Sequence, residues 1–371
     1  MIYLDNAATT YPKPREIRRA VNDCIARVGG NPGRGAHALS LRAAEAVWDA
    51  RCEIAEFLGV SDPSKIIFIP NATFGLNLAI KCRVRPGDHI LLSDQEHNAV
   101  FRPVCRLKAD GIADYSVFSG ESDVMSNIRN CEKKNTAILI CNPVSNVTGR
   151  KLPIREIAVY AKARGFYLIV DGSQWIGHDG PDREVIALAD AIAVPGHKGL
   201  YGIQGSGFLY LKSADRNASF IEGGSGSRSA LPEMPDELPD RYEAGTLSTP
   251  AIVSLAAGVR FIRRYGVEMI RDKEAQLFHY ALARLSEVSG VELLSGKQDA
   301  GAVLSFRING VTPDETARRL DRAGIAVRAG LHCAPLIHKA IGTFPEGTVR
   351  ISFGVFNEEK DVDFLIKYLL K

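Results

Sequence analysis

From Lys65 to Val194, short apolar runs rich in β-branched and aromatic residues alternate with stretches of helical periodicity. That alternation confines the chain to an α/β fold with a mostly parallel sheet and helices on both faces. The runs KIIFI, HILLSD, TAILICN, GFYLIVD and ADAIAVP read as strands. Parallel neighbours need a crossover, and 181–188 is long enough to supply one between the last two. GSGFLYLK, after Lys198, reads as a strand returning across the sheet. Helices are expected over 15–28, 40–58 (stopped by Gly59), 71–81, 99–108 and 153–164.

The character changes at Pro250. Two long helices follow, over 250–264 and 266–287. GAVLSFRI then opens a shorter α+β segment closed by a helix through Leu370. The expectation is a large domain over 15–250 and a small one over 251–371 that takes in residues 1–14. GGSGSRSALPEMPDELPD, from Gly223, is the longest irregular stretch. It reads as a mobile active-site or interface loop.

A formal net charge of +3 and the lack of a basic stripe with interleaved aromatics argue against nucleic acid. No apolar run is long enough for a bilayer. MIYLDNAATT has neither the basic start nor the apolar core of a secretion signal. Seven cysteines, an odd number without zinc-like spacing, suggest a reducing cytoplasm and no metal site. Cys24, Cys52, Cys105 and Cys141 read as small core residues.

Two strand ends carry chemistry. GFYLIVD ends on Asp171, and ADAIAVPGHK ends on Lys198. Open α/β sheets bind ligands at the carboxyl ends of their strands. Taken singly, the aspartate is a helix cap and the lysine a solvated cation. As a pair they suit pyridoxal phosphate (PLP): the lysine forms an imine with the aldehyde, and the acid holds the protonated ring nitrogen. Gln174 is a candidate for the ring hydroxyl. Asn71-Ala72-Thr73 opens a helix whose N-terminus could take the phosphate. His97 follows strand HILLSD and offers a flat face to stack on the ring, while His197 adjoins Lys198. Cys333 lies in the loop RAGLHCAP, where Arg328 and His332 offer positive potential favouring thiolate. Arg350, in the strand-like TVRIS, could fork onto a carboxylate.

YLDNAATT, NATFGLN, QEHNAV, PVSNVTG, VDGSQ, PGHK, YEAGTLSTP, RAGLHCAP and TVRISFGVFN run in order from residue 3 to residue 357. In that order and spacing the chain resembles class V, fold-type I PLP enzymes of the cysteine desulfurase and selenocysteine lyase group. The resemblance implies a PLP-transferase fold and a homodimer. It makes Lys198 the imine lysine, Asp171 the pyridinium partner and His97 the stacking histidine. Gln174 would hold the ring hydroxyl, and Thr73 with His197 the phosphate. Thr246 would reach the phosphate of the other subunit. Asn146 and Arg350 would bind the substrate carboxylate, with Arg328 close by, and Cys333 would attack the substrate sulfur. The substrate would be L-cysteine or L-selenocysteine, and a thiol or carrier protein would accept the sulfur. Pro195 stands where that group has serine, Ile203 where proline is common, and Gly199 is an extra glycine.

Overall fold

The computed structural model describes residues 1–33, 35–214, 219–296 and 301–370. Thirteen strands follow one another among them. They are β1 Ile2–Tyr3, β2 Ile66–Phe68, β3 Asp88–Ser93, β4 Ala113–Phe118 and β5 Thr136–Cys141. Next come β6 Tyr167–Asp171, β7 Ala191–Pro195, β8 Gly207–Leu211 and β9 Val291–Leu293. The last four are β10 Val303–Ile308, β11 Ile325–Ala326, β12 Arg328–Gly330 and β13 Thr348–Ser352. The main sheet has the order β2-β8-β7-β6-β5-β3-β4. β8 runs antiparallel to both its neighbours, as expected of a returning strand, and every other pairing is parallel.

The central strands are buried on both faces, so they are largely apolar and alternate residues feed two cores. In β6, Leu168 and Val170 join one apolar cluster, and Ile169 joins the other. In β7, Ile192 and Val194 divide from Ala191 and Ala193 in the same way. Helix Thr249–Tyr265 packs Ile252, Leu255, Val259 and Ile262 into the first cluster. Helix Ala72–Arg83 packs Leu76, Ala79 and Ile80 into the second. A buried Arg51–Glu243 pair (2.8 Å) closes the β2 edge, where Glu243 also accepts the Phe68 N–H (2.6 Å).

A second, antiparallel sheet has the order β12-β13-β10-β9 and packs on a third cluster that includes Leu4, Leu277, Phe278, Leu304 and Ile351. The N-terminal segment crosses to it: β1 pairs with β11, and Asp5 bridges to Ser352. The sequence reading did not separate β4 or the helices Val124–Cys131, Pro313–Arg322 and Pro335–Ala340. Cys24 and Cys141 are buried as expected, but Cys52 and Cys105 are only half-buried. Among the described residues no helix is long and apolar enough to cross a membrane.

Candidate active site

The carboxyl ends of β3, β5, β6 and β7 lie side by side and open on one cavity. Into it converge Ala72, Thr73, His97, Asn146, Asp171, Gln174, His197, Lys198, Arg328 and Arg350. These are nearly all the residues singled out from the sequence. Cys333 and Thr246 are the exceptions. Cys333 follows the lining residue His332 but does not itself line the cavity. Thr246 is exposed and lines a different cavity, with Asn31, Trp48 and Gly224–Gly226.

Each side chain has a local reason for its position. Asp171 ends β6 and caps the following 3₁₀ turn by accepting the Ser173 N–H (3.0 Å). Gln174 donates to the Ala7 carbonyl (3.0 Å), which ties the crossing N-terminal segment to the cavity floor. Asn71 caps helix Ala72–Arg83 through the Phe74 N–H (2.9 Å), so its first N–H groups stand at the cavity. His97 caps helix Asn98–Ala109: its Nδ1 accepts the Ala99 N–H (3.0 Å). The preceding N–H, of Asn98, donates to the Cys333 carbonyl (2.6 Å) and draws the cysteine loop to the cavity rim.

The electrostatics are those of a desolvated site. Lys198 opens toward the cleft, yet the surrounding chain strips water from its ammonium and lowers its pKa to about 8. Arg350 and Arg328 push the same way, against the opposing pull of Asp171. Burial and the Lys198 charge lower His97 to about 4, and burial and Lys198 do the same to His197. Both rings are neutral near pH 7. Arg350 is 1% exposed. Its Nη2 binds Asp5 Oδ1 (2.6 Å) and its Nη1 the Asn146 carbonyl (3.1 Å), while Nε is unpartnered. Arg328 Nη2 reaches Cys333 Sγ at 3.8 Å.

One expectation is corrected. His332 adds no positive potential beside Cys333. Burial, helped by Arg350, holds its pKa well below the ordinary value, and the ring is neutral. Arg328 is the cation that faces the sulfur.

Sequence reasoning missed two neighbours. Asn142 lies on the cavity directly after β5, a position the strand end announces. Glu96 is fully buried beneath the site. Its Oε1 accepts from Ser93 Oγ (2.6 Å) and the Asn142 N–H (2.8 Å), and its Oε2 has no partner. Burial raises it to about 8. No local pattern distinguishes such an acid from a solvated one.

A desolvated lysine, an acid at a strand end and a helix N-terminus meet in one cavity. The half-buried His197, whose Nδ1 has no partner, lines it too. This donor set fits an aldehyde-bearing aromatic phosphate. The aminotransferase class-V profile matches residues 2–365, and the chain belongs to that family. It is 32% identical to a protein of Methanothermobacter thermautotrophicus named "Probable cysteine desulfurase", over 98% of this chain and 92% of that one. A cysteine desulfurase of Haloferax volcanii is 31% identical, over 99% of this chain and 88% of its own. The fold matches the solved apo cysteine desulfurase of Thermococcus onnurineus with a TM-score of 0.90. That match has 29% identity and covers 100% of this chain and 94% of the other.

Proposed function

We propose that this chain is a PLP-dependent cysteine desulfurase, which converts L-cysteine to L-alanine and carries the sulfur away on Cys333 as a persulfide. One observation carries the reading: Arg328, which lines the cavity with the desolvated Lys198, also reaches the Cys333 sulfur. Cys333 lies close enough to act electrostatically on both Lys198 and Arg350.

Lys198 would hold the cofactor covalently and Asp171 its ring nitrogen. His97 would stack on the ring, and Gln174 would reach its hydroxyl. Ala72, Thr73 and His197 would hold the phosphate, joined by Thr246 of a second copy in a homodimer. When bound, PLP withdraws electrons from the amino-acid skeleton. The chain's own residues do the rest. Arg350, with Asn146 beside it, takes the substrate carboxylate through the guanidinium face that Asp5 leaves free. With its pKa near 8, Lys198 can accept and return a proton near neutral pH. Arg328 steadies negative charge on Cys333, whose sulfur attacks the substrate sulfur. A thiol or carrier protein then takes the persulfide, in the cytoplasm.

Alanine and sulfide release by Cys333→Ala tests the reading. Loss of both is expected, and desulfurase turnover at the wild-type rate would refute the role of Cys333. L-selenocysteine is the alternative substrate, because the same lysine and cysteine serve either chalcogen; side-by-side turnover discriminates the two. We also propose that residues 15–250 form the cofactor domain and 251–371, with 1–14, the small domain.

A further inference from the structure

We propose that His332 is a specificity-determining residue: its Nδ1 accepts the hydrogen of the substrate's S–H and so favours a thiol over a selenolate. The inference rests on the desulfurase reading and deepens it.

The placement of hydrogens on three side chains carries the argument. Ser305 Oγ lies 2.6 Å from the Val147 carbonyl, which can only accept, so the serine hydrogen points there. Thr348 Oγ1 lies 3.2 Å from Ser305 Oγ and must donate to it. The threonine then has no hydrogen left for His332 Nε2 at 3.0 Å, so Nε2 is the donor of that bond. A neutral imidazole has one N–H. His332 Nδ1 is therefore a bare acceptor, and it has no partner in the protein. Burial and the Arg350 charge keep the ring from taking a second proton.

The residue is 3% exposed and lines the cavity. A buried acceptor left bare costs about 1–3 kcal/mol, which a ligand donor would relieve. The loop that carries the ring is held in place. His332 (φ 48°) and Cys333 (φ 59°) both adopt the left-handed conformation, which is uncommon for non-glycine residues. Asn146 Nδ2 fixes the His332 carbonyl (2.9 Å). An amino-acid carboxylate can only accept, which suits the unpartnered Arg350 Nε. Its amine is engaged at the cofactor. The side-chain S–H is the donor that remains. The Cys333 sulfur is engaged as an acceptor from Arg328, and no contact joins it to His332 Nδ1.

The bond changes balance without an outside reagent. The Cβ–S bond breaks as the Cys333 S–S bond forms. Cβ is reduced to a methyl group while the enzyme sulfur is oxidised to the persulfide. The hydrogen of the Cys333 thiol ends on Cβ, and the transferred sulfur keeps its own, still bonded to His332 Nδ1. A selenol is far more acidic than a thiol (pKa about 8.5), so at neutral pH it offers a negative charge, not a hydrogen, to that lone pair.

Two variants separate this role from mere anchoring. His332→Gln keeps a donor for Thr348 but loses the acceptor at Nδ1. His332→Asn keeps an acceptor near Nδ1 but loses the Thr348 bond. In the Cys333→Ala holoenzyme, binding without sulfur transfer is read from the cofactor absorption, with L-cysteine against L-alanine, which lacks only the S–H. The Gln variant should cut the cysteine-over-alanine preference about tenfold, the equivalent of roughly 1.4 kcal/mol, and the Asn variant should keep it. With Cys333 intact, His332→Gln should shift the kcat/KM ratio of cysteine to selenocysteine toward selenocysteine by a similar factor. Equal weakening of both amino acids by Gln, or loss with Asn and retention with Gln, overturns the proposal. A wild-type site whose absorption ignores both amino acids overturns the desulfurase reading itself, and this inference with it.

Discussion

Replacing Glu96 by Gln should make the chain's stability less dependent on pH. The glutamate is fully buried, with two donors on Oε1 and nothing on Oε2, and burial moves its pKa from 4.5 to about 8. The folded state therefore binds one more proton than the unfolded state between those values. Its stabilising contribution is complete below the unfolded pKa and is lost as pH rises through the folded one. The slope is about 1.4 kcal/mol per pH unit, and over the full window the loss is on the order of 5 kcal/mol. Glutamine keeps the Oε1 acceptor and the shape but does not titrate. Urea unfolding of the cofactor-free wild type and Glu96→Gln, from about pH 5 to about pH 8, reads the difference. The variant should gain on the wild type steadily as pH rises. A stability difference that stays flat across this range would refute the claim that Glu96 is neutral at the bottom of it.

Other consequences follow from single contacts. Arg51→Met leaves Glu243 buried and unpaired, which should cost about 3–5 kcal/mol in urea unfolding; Glu243→Gln in the Arg51→Met background should recover part of it. Gly199→Ala drives a methyl group to 2.9 Å from the Gly177 Cα and the His178 ring. Cofactor binding at Lys198 and the melting temperature should both fall, whereas Gly224→Ala, which meets nothing within 4 Å, should leave the melting temperature unchanged. His97, lowered to about 4, should stay neutral above about pH 5.5. Its ring nitrogen NMR shifts test this, and an imidazolium near neutral pH would contradict it.

Much of the site was legible because strand ends announce themselves. Asp171, Lys198 and His97 each follow an apolar run, and parallel topology carries such positions to one edge of the sheet. Thr73 was legible as the start of a helix. What stayed hidden depends on contacts between distant parts of the chain. Asp5 reaches Arg350 only because the N-terminal segment crosses to the second sheet, a pairing with no local signature. Strand β4 was missed because ADYSVF mixes polar residues into an edge strand that is half-buried over most of its length. The neutral His332 was misread as a charge because burial, not sequence neighbours, sets its protonation.

The central claim is a covalent attachment at one side chain. Borohydride reduction of the PLP-loaded protein, followed by peptide mapping, should find the pyridoxyl group on Lys198. A reduced, active protein with that lysine unmodified, or with the group on another residue, would contradict the account.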